Sequence, residues 1–149
     1  MQAKEKLIIG RKDFANFPEL GLEFIAVKID TGAYTSSIHC QQIEEIEFEG
    51  QKAVRFQLLD PSHDQYNEKI FIFNNFKLKS IKSSMGHEEM RYVIKTKIAL
   101  FRKLYPIELS LTERGEMKYP VLLGRKLLRK RFLIDPSKQN LSFVSLNQQ

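Results

Sequence analysis

Cysteine is nearly absent from this sequence, with Cys40 alone among 149 residues, and tryptophan is absent altogether. A single cysteine cannot form an intrachain disulfide, which excludes a disulfide-stapled scaffold and agrees with a reducing compartment. No apolar stretch reaches about 18 residues, so no membrane-spanning helix is predicted. Residues 1–10 also lack the apolar run of a signal peptide. We therefore expect a cytoplasmic protein that has no membrane partner.

Acidic residues are in the minority, since 24 Lys and Arg residues outnumber 18 Asp and Glu residues and give a net charge of +6. Such a charge favours acidic partners: nucleic acid, an anionic surface or an acidic peptide. The basic residues are densest at Arg125, Lys126, Arg129, Lys130 and Arg131. This cluster is also typical of an ordinary solvated helix face. The sequence contains no nucleic-acid-reading motif, so no nucleic-acid partner is predicted.

The apolar share of 42%, with eleven Phe, excludes a disordered chain and suits one domain spanning residues 1–149. Apolar and polar residues alternate along much of it, as in strands with one buried face. Strands are predicted at 25–29, 54–58, 70–73, 76–78, 92–94 and 107–111, and turns at 49–51, 60–64, 74–75, 114–116 and 135–137. Convincing helical spacing occurs only at 125–131. The pattern predicts an all-β sandwich or barrel with one short helix.

The segment Ile29–Ala33 has the sequence Ile-Asp-Thr-Gly-Ala and ends the first predicted strand. Its Asp30 supplies a carboxylate that can hold or release a proton. Thr31 can fix the loop through its hydroxyl group, and Gly32 permits a tight turn that brings an N–H group close to the carboxylate. The triplet alone is more typical of an ordinary turn after a strand, so a second feature is needed to favour catalysis.

The second feature is Val121–Arg125, which reads Val-Leu-Leu-Gly-Arg and leads into the helical segment. Together with the upstream Ile-Asp-Thr-Gly-Ala loop, it resembles the retropepsins, the single-domain aspartic peptidases of retroviral type. The resemblance is closer to a bacterial retropepsin-like family whose members were once named ATP-dependent zinc proteases. The matching pieces cover most of the chain and are 9–11, 18–22, 28–33, 35–39, 91 with 93–96, 107–114, 117, 122–125 and 132–136.

The resemblance implies a retropepsin-like aspartic-peptidase barrel with one short C-terminal helix. The residues that it assigns to the site are the catalytic Asp30, Thr31 and Gly32 and the substrate-contacting Ala33. This chain has Tyr34 where the bacterial members usually have Arg. Retroviral members have an acidic residue soon after the triplet, which residues 34–36 do not supply. The partner of Arg125, which the resemblance places beside the loop, is therefore left open.

An aspartic peptidase activates water with two carboxylates, and two carboxylates about 3 Å apart share one proton near neutral pH. The sequence contains one Asp-Thr-Gly triplet. We therefore predict a homodimer in which Asp30 of each chain supplies one carboxylate at a two-fold axis. Asp135 is the rival second acid within one chain, although its Asp-Pro-Ser context is typical of a turn.

Histidine is scarce, so the candidates for a metal site are His39, Cys40, His63 and His87. A zinc site needs three or four ligands, and the His-Glu-x-x-His pattern of many catalytic sites is absent from the sequence. We therefore predict no metal and no other cofactor. His39 is instead expected to make a hydrogen bond beneath the active loop and to orient it, in support of the catalytic residues, as Arg125 does.

A polar loop at 83–89, with Gly86 near its middle, lies between two predicted strands. It is the candidate for a flap that closes over substrate and excludes water, although an ordinary surface hairpin has the same pattern. Arg91 at its base also has two interpretations. It binds a substrate carboxylate, or it pairs with Glu88 or Glu89.

The sequence thus predicts an aspartic endopeptidase that acts on a cytosolic peptide or protein. The resemblance associates such proteins with ATP-grasp ligases that add glutamate. A glutamate-rich substrate and a ligase partner are therefore candidates, and both fit the basic surface. The alternative is a non-catalytic module of the same fold that binds a peptide or the ligase. The intact Asp-Thr-Gly-Ala segment favours the enzyme, and Tyr34 is compatible with the binding module.

Overall fold

Strands dominate the computed structural model, which describes residues 5–82, 85–113 and 118–146. The strands are β1 Leu7–Ile9, β2 Lys12–Phe17, β3 Leu22–Ile29, β4 Ser36–Phe48, β5 Gln51–Leu58, β6 Ile70–Phe73, β7 Phe76–Lys82, β8 Glu88–Leu100, β9 Lys103–Thr112, β10 Val121–Leu123 and β11 Phe132–Ile134. The helices are α1 Arg125–Leu128 and α2 Leu141–Ser145, with a 3-10 turn at Pro18–Leu20. Every predicted strand segment lies in one of these strands, which confirms the all-β class. The predicted turn at 114–116 lies outside the described residues.

Six of the strands close into a ring. The order around it is β10, β3, β2, β8, β9 and β4, and β4 pairs with β10 to complete the circuit. Beyond the ring, β5 and β6 continue the sheet from β4, and β7 pairs with β8. A closed sheet leaves few open edges, and its side chains alternate between the interior and the outside. The predicted barrel is therefore present.

The inside of the ring is the hydrophobic core. Its fully buried side chains include Val27 on β3, Ile38 on β4, Leu109 on β9, and Val121 and Leu123 on β10. Burial of one such side chain stabilises the fold by about 1.5–3 kcal/mol. Because this core fixes β3, β4 and β10 together, the loop that leaves β3 starts from a rigid platform.

The predicted helix at 125–131 is present as the shorter α1, and a second short helix, α2, follows near the C-terminus. The first N–H groups of α2, at Ser142 and Phe143, donate to the buried carboxylate of Asp13 at 2.8 and 3.1 Å. A carboxylate at a helix N-terminus satisfies N–H groups that the helix leaves unpaired. The sequence pattern missed α2 because its cap comes from a distant strand. No helix of the described segments is long and apolar enough to cross a membrane.

Candidate active site

The Asp-Thr-Gly loop begins where β3 ends, and Asp30 is half-buried there. The backbone N–H of Asp30 donates to the carbonyl of Leu123 at 2.9 Å. Its Oδ1 accepts the N–H of Gly32 at 3.0 Å, and its carbonyl accepts the N–H of Ala33 at 3.3 Å. The carboxylate is therefore oriented by its own loop, with the Gly32 N–H close to it as predicted.

Strand β10 brings the second sequence motif against this loop. It runs parallel to β3, with Leu123 opposite Ile29, and antiparallel to β4, with Val121 opposite Ile38. Both neighbours are strands of the closed ring, so the position of β10 is fixed on two sides. The segment that follows β10 therefore reaches the Asp-Thr-Gly loop from a defined direction.

Gly124 follows β10 directly and is buried against the loop. A Cβ atom at this position would lie 2.6 Å from the carbonyl oxygen of Tyr34 and 2.9 Å from that of Ala33. Both distances are far shorter than van der Waals contact, so the close approach requires glycine. The N–H of Gly124 donates to Oγ of Ser36 at 3.0 Å. The role of Ser36 could not be predicted from the sequence, because one serine after a loop carries no distinctive pattern.

Replacing Gly124 with Ala is expected to lower the free energy of unfolding by about 2–3 kcal/mol, because the loop must move to admit the methyl group. The comparison variant is Gly50→Ala, where φ is +78° but an added Cβ meets nothing within 4 Å. Its expected cost is about 1 kcal/mol, from the backbone conformation alone. Urea unfolding of both variants measures the difference. Equal losses would show that the contact with the loop imposes no constraint.

Arg125 holds the loop from the side of α1. Its guanidinium donates to the carbonyl of Thr31 at 2.9 Å and lies over the ring of Tyr34, 5.8 Å from the ring centre. Its backbone N–H donates to the carbonyl of Ala33, also at 2.9 Å. A cation over an exposed aromatic face contributes about 0.5–1 kcal/mol. The partner of Arg125, which the sequence left open, is therefore the backbone carbonyl of Thr31 together with the ring of Tyr34. Thr31 contacts Arg125 through its carbonyl and not through its hydroxyl group.

A cleft of about 460 Å³ separates the Asp-Thr-Gly loop from the β7–β8 hairpin, and we refer to it as the active-loop cleft. Its lining residues are Gly32, Tyr34, Thr35 and Arg125 on the loop side and Ser80, Ile81, Lys82 and Gly86 on the hairpin side. Gly86 has φ +88° and is exposed at the hairpin end. The candidate flap thus lies across a cleft from the Asp-Thr-Gly loop. Residues 83 and 84 of the flap lie outside the described residues.

Arg91 lies on β8 at the base of this hairpin, and only 9% of the residue is exposed. Its Nε donates to the carboxylate of Glu89, and one terminal nitrogen donates to Oγ1 of Thr112 at 3.2 Å. The structure therefore shows the second of the two interpretations, the ion pair with Glu89. A contact between Arg91 and a substrate carboxylate would require this pair to open.

His39 is buried on β4, and its Nε2 lies 2.9 Å from Oδ2 of Asp60. The hydrogen bond predicted beneath the active loop is therefore made elsewhere, to the turn that follows β5. The reason is the pairing of β4 with β5, which continues into a bond from the Leu59 N–H to the His39 carbonyl at 2.9 Å. The N–H and hydroxyl of Ser62 also bind Asp60 and hold the pKa of its carboxyl below the usual value.

The same turn brings His63 to this carboxylate, with Nε2 of His63 3.9 Å from Oδ2 of Asp60. His39, Asp60 and His63 each offer a ligand atom, and these atoms lie within 4.8 Å of one another. Two imidazoles and one carboxylate form a donor set that suits zinc. Of the four residues considered from the sequence, Cys40 and His87 are not in this group.

If this chain hydrolyses peptides with a pair of Asp30 carboxylates, as the sequence predicts, its activity is expected to continue in excess EDTA, because such a pair activates water without a metal. The readout is the rate of peptide cleavage before and after chelation, with His63→Gln as the variant that removes one candidate ligand. Loss of activity in EDTA that zinc restores, together with the same loss in His63→Gln, would contradict the expectation and make the His39, Asp60 and His63 group essential.

Two further candidates from the sequence lie in structural settings. Asp135 follows β11, which pairs with β1 outside the ring, and its Oδ1 accepts the N–H and the hydroxyl of Ser137 at 3.0 and 2.6 Å. These bonds lower the pKa of the Asp135 carboxyl. Burial raises the pKa of the Cys40 thiol well above its ordinary value, which makes it unreactive. The bonds of Asp135 within its turn and the burial of Cys40 do not favour a catalytic role for either residue.

Comparison with known protein families identifies the family to which this chain belongs. The family model described as "RimB-like: Retropepsin-like aspartic endopeptidase RimB" matches residues 8–143. The chain belongs to the RimB-like family. The matched range contains both the loop that carries Asp30 and the segment Gly124–Arg125. The family resemblance drawn from the sequence is confirmed, and the ring of strands is the barrel of a retropepsin-like protein.

Curated relatives of this RimB-like chain have a different name. It is 40% identical over 137 residues to "Probable alpha-L-glutamate ligase" of Shewanella pealeana, and 37% identical over 134 residues to the protein of that name from Desulfotalea psychrophila. The alignments cover 89% and 90% of this chain but 29% of each relative. The chain therefore spans about three tenths of the length of the curated relatives that it matches.

A solved structure has the same fold as this RimB-like chain. Lpg0085 from Legionella pneumophila, a protein described as having unknown function, superposes with a TM-score of 0.73 at 27% sequence identity. The match covers 93% of this chain and 99% of that one. The RimB-like barrel thus accounts for nearly all of the solved chain.

Proposed function

We propose that this chain is an aspartic endopeptidase in which Asp30 of two chains activates water to hydrolyse a peptide bond. One carboxylate takes a proton from the water while the other, protonated, donates to the scissile carbonyl. The water oxygen bonds to the carbonyl carbon. The C–N bond then breaks as the leaving nitrogen takes a proton from the carboxyl pair. The observation that carries the proposal is the half-buried Asp30 carboxylate, which accepts the N–H of Gly32, a residue that lines the active-loop cleft.

The second carboxylate is proposed to come from another copy of the chain. Asp135, the rival within one chain, is held in its own turn by Ser137 and follows a strand outside the ring. The hairpin across the active-loop cleft also presents two exposed methionines, Met85 and Met90. Flexible apolar side chains in such a position suit contact with a peptide or with a second protomer. The setting of Asp135 favours an assembly of two chains over a single-chain site, and the exposed methionines are compatible with such an assembly.

The proposed substrate is a peptide or protein segment rich in glutamate. The support is the net charge of +6 together with the relatives named as alpha-L-glutamate ligases, which contain a segment similar to this chain. A ligase of that kind is a proposed partner, since it would supply the glutamate chain that this domain cleaves. An excess of positive charge raises the local concentration of anionic peptides.

The test compares hydrolysis of an oligoglutamate-bearing peptide with that of a neutral peptide of equal length. We expect a higher kcat/KM for the acidic peptide at low salt, and an advantage that shrinks as salt shortens the Debye length toward about 3 Å at 1 M. Mass spectrometry of the products locates the cleaved bond. Equal rates for the two peptides at low salt would reject the acidic substrate. Binding of both without cleavage would favour the non-catalytic module.

A further inference from the structure

A second cleft, of about 400 Å³, lies between α1 and the β7–β8–β9 part of the sheet, and we call it the basic cleft. Its charged lining consists of Lys77, Lys79, Lys95, Lys126, Arg131 and Glu108. Strand geometry produces this clustering. Lys77 and Lys79 are two residues apart on β7 and share a face, and Lys95 on β8 lies opposite Glu108 on β9. Five cations and one anion thus share one concave surface.

The charges in the basic cleft are not balanced within the chain. Glu108 pairs with Lys126 and, at 3.4 Å, with Lys79. Within the described ranges, no ion pair involves Lys77 or Lys95. Burial lowers the pKa of the Lys126 ammonium, and the neighbouring charges of Lys79, Lys77 and Lys95 lower it further. A concave cluster of like charges repels itself, and a bound polyanion would relieve that repulsion.

Shared lining residues link the basic cleft to the active-loop cleft by way of a third depression. Lys126 and Arg131 line both the basic cleft and a shallower depression on the outside of α1. That depression also contains Arg129, Lys130 and Tyr34. Tyr34 in turn lines the active-loop cleft. Three neighbouring depressions with basic linings therefore connect the Asp-Thr-Gly loop, by way of Tyr34, to Lys77 and Lys95.

We propose that the basic cleft is a secondary binding site for the acidic segment of a peptide substrate, which extends into it from the active-loop cleft across Tyr34. This inference rests on the proposed peptidase function and deepens it by locating the contacts that select for charge. Lysine ammonium groups are hydrated point charges on flexible stems, which suits a flexible run of carboxylates. Among the described lining residues none is aromatic, so the cleft offers no surface on which nucleic-acid bases stack.

The test measures binding separately from cleavage. Chains with the Asp30→Asn substitution are titrated with a fluorescein-labelled oligoglutamate peptide, and a Gly-Ser peptide of equal length is the neutral probe. The cleft variant combines Lys77→Gln with Lys95→Gln. The control variant combines Lys52→Gln with Lys103→Gln, two exposed lysines outside the basic cleft, so both variants lose the same charge. We expect about a tenfold rise in Kd for the cleft variant and at most about a twofold rise for the control.

The outcomes separate this inference from the peptidase proposal. Equal weakening by the two pairs of substitutions would show that bulk charge alone attracts the peptide, and would overturn the cleft. A single-stranded oligothymidine is tested as a competitor. If it displaces the oligoglutamate peptide, and if the cleft variant binds it more weakly, the assignment of the cleft to a peptide is overturned. Cleft-dependent binding in a chain that never hydrolyses the peptide would support the cleft and reject the peptidase. Hydrolysis of the peptide together with binding that does not depend on the cleft would support the peptidase and reject the cleft.

Discussion

Replacing Asp30 with Asn is expected to reduce kcat/KM for peptide hydrolysis by at least about a thousandfold, since a positioned acid–base group contributes on this order. The amide of Asn can neither take a proton from water nor return one to the leaving nitrogen. Because both carboxylates of the proposed site are copies of Asp30, one substitution removes the whole pair. The measurement is the initial rate of cleavage of the oligoglutamate-bearing peptide by purified protein.

The control for this substitution is Asp135→Asn, which is expected to change kcat/KM by less than about twofold, because Asn can keep a turn of this kind. Thermal unfolding and peptide binding of Asp30→Asn should match those of the unsubstituted chain. The bonds of the loop with Leu123, Ala33 and Arg125 use backbone atoms of the loop, and the side-chain oxygen of Asn can still accept the N–H of Gly32. Substantial cleavage by Asp30→Asn, together with its loss in Asp135→Asn, would transfer the catalytic role to Asp135.

Mixing the Asp30→Asn chain with the unsubstituted chain is expected to lower the peptidase activity of the unsubstituted chain. If both carboxylates are needed and chains pair at random, an equal mixture leaves about a quarter of the dimers with two intact Asp30 residues. The total activity then falls to about half of that given by the same amount of unsubstituted chain alone, and a threefold excess of Asp30→Asn lowers it to about a quarter. The measurement is cleavage rate against the mixing ratio after exchange of protomers.

The control for the mixing experiment adds an unrelated protein at the same concentrations. An activity that does not depend on the amount of Asp30→Asn, under conditions where sedimentation shows mixed dimers, would mean that one Asp30 is sufficient. An activity that is independent of mixing and carried by monomers would remove the two-chain mechanism altogether.

Much of the fold could be predicted because its signals are local. The alternation at 25–29 and at 107–111 becomes β3 and β9, each with a buried inner face. The helix α2 could not be predicted in this way. Its N–H groups are capped by Asp13, which lies 129 residues before Ser142, and no local pattern records a bond over that separation. The helix predicted at 125–131 ends early, at Leu128, because Arg129 takes a non-helical ψ of 137° and Lys130 then takes a positive φ of 66°.

The geometry of the candidate site was predictable where a residue's own loop determines it, and not where it depends on pairing between strands. Asp30 and Gly32 carry their geometry in their own loop. The hydrogen-bond acceptor of the Arg125 guanidinium is a backbone carbonyl, which every residue has, so no side-chain pattern marks that bond. The hydrogen bond of His39 goes to Asp60 because β4 and β5 pair. Arg91 forms its ion pair with Glu89 because the two residues lie two positions apart on β8 and so share a face. The basic cleft likewise arises from lysines on separate strands.

The most direct test of the account is the separation of the two Asp30 carboxylates in an experimental structure of the assembled protein. The account predicts a two-fold dimer in which these carboxylates lie about 3 Å apart, close enough to share a proton, beneath the two β7–β8 hairpins. A dimer that holds the Asp30 side chains on opposite faces, or active protein that crystallises with each Asp30 facing solvent alone, would contradict it.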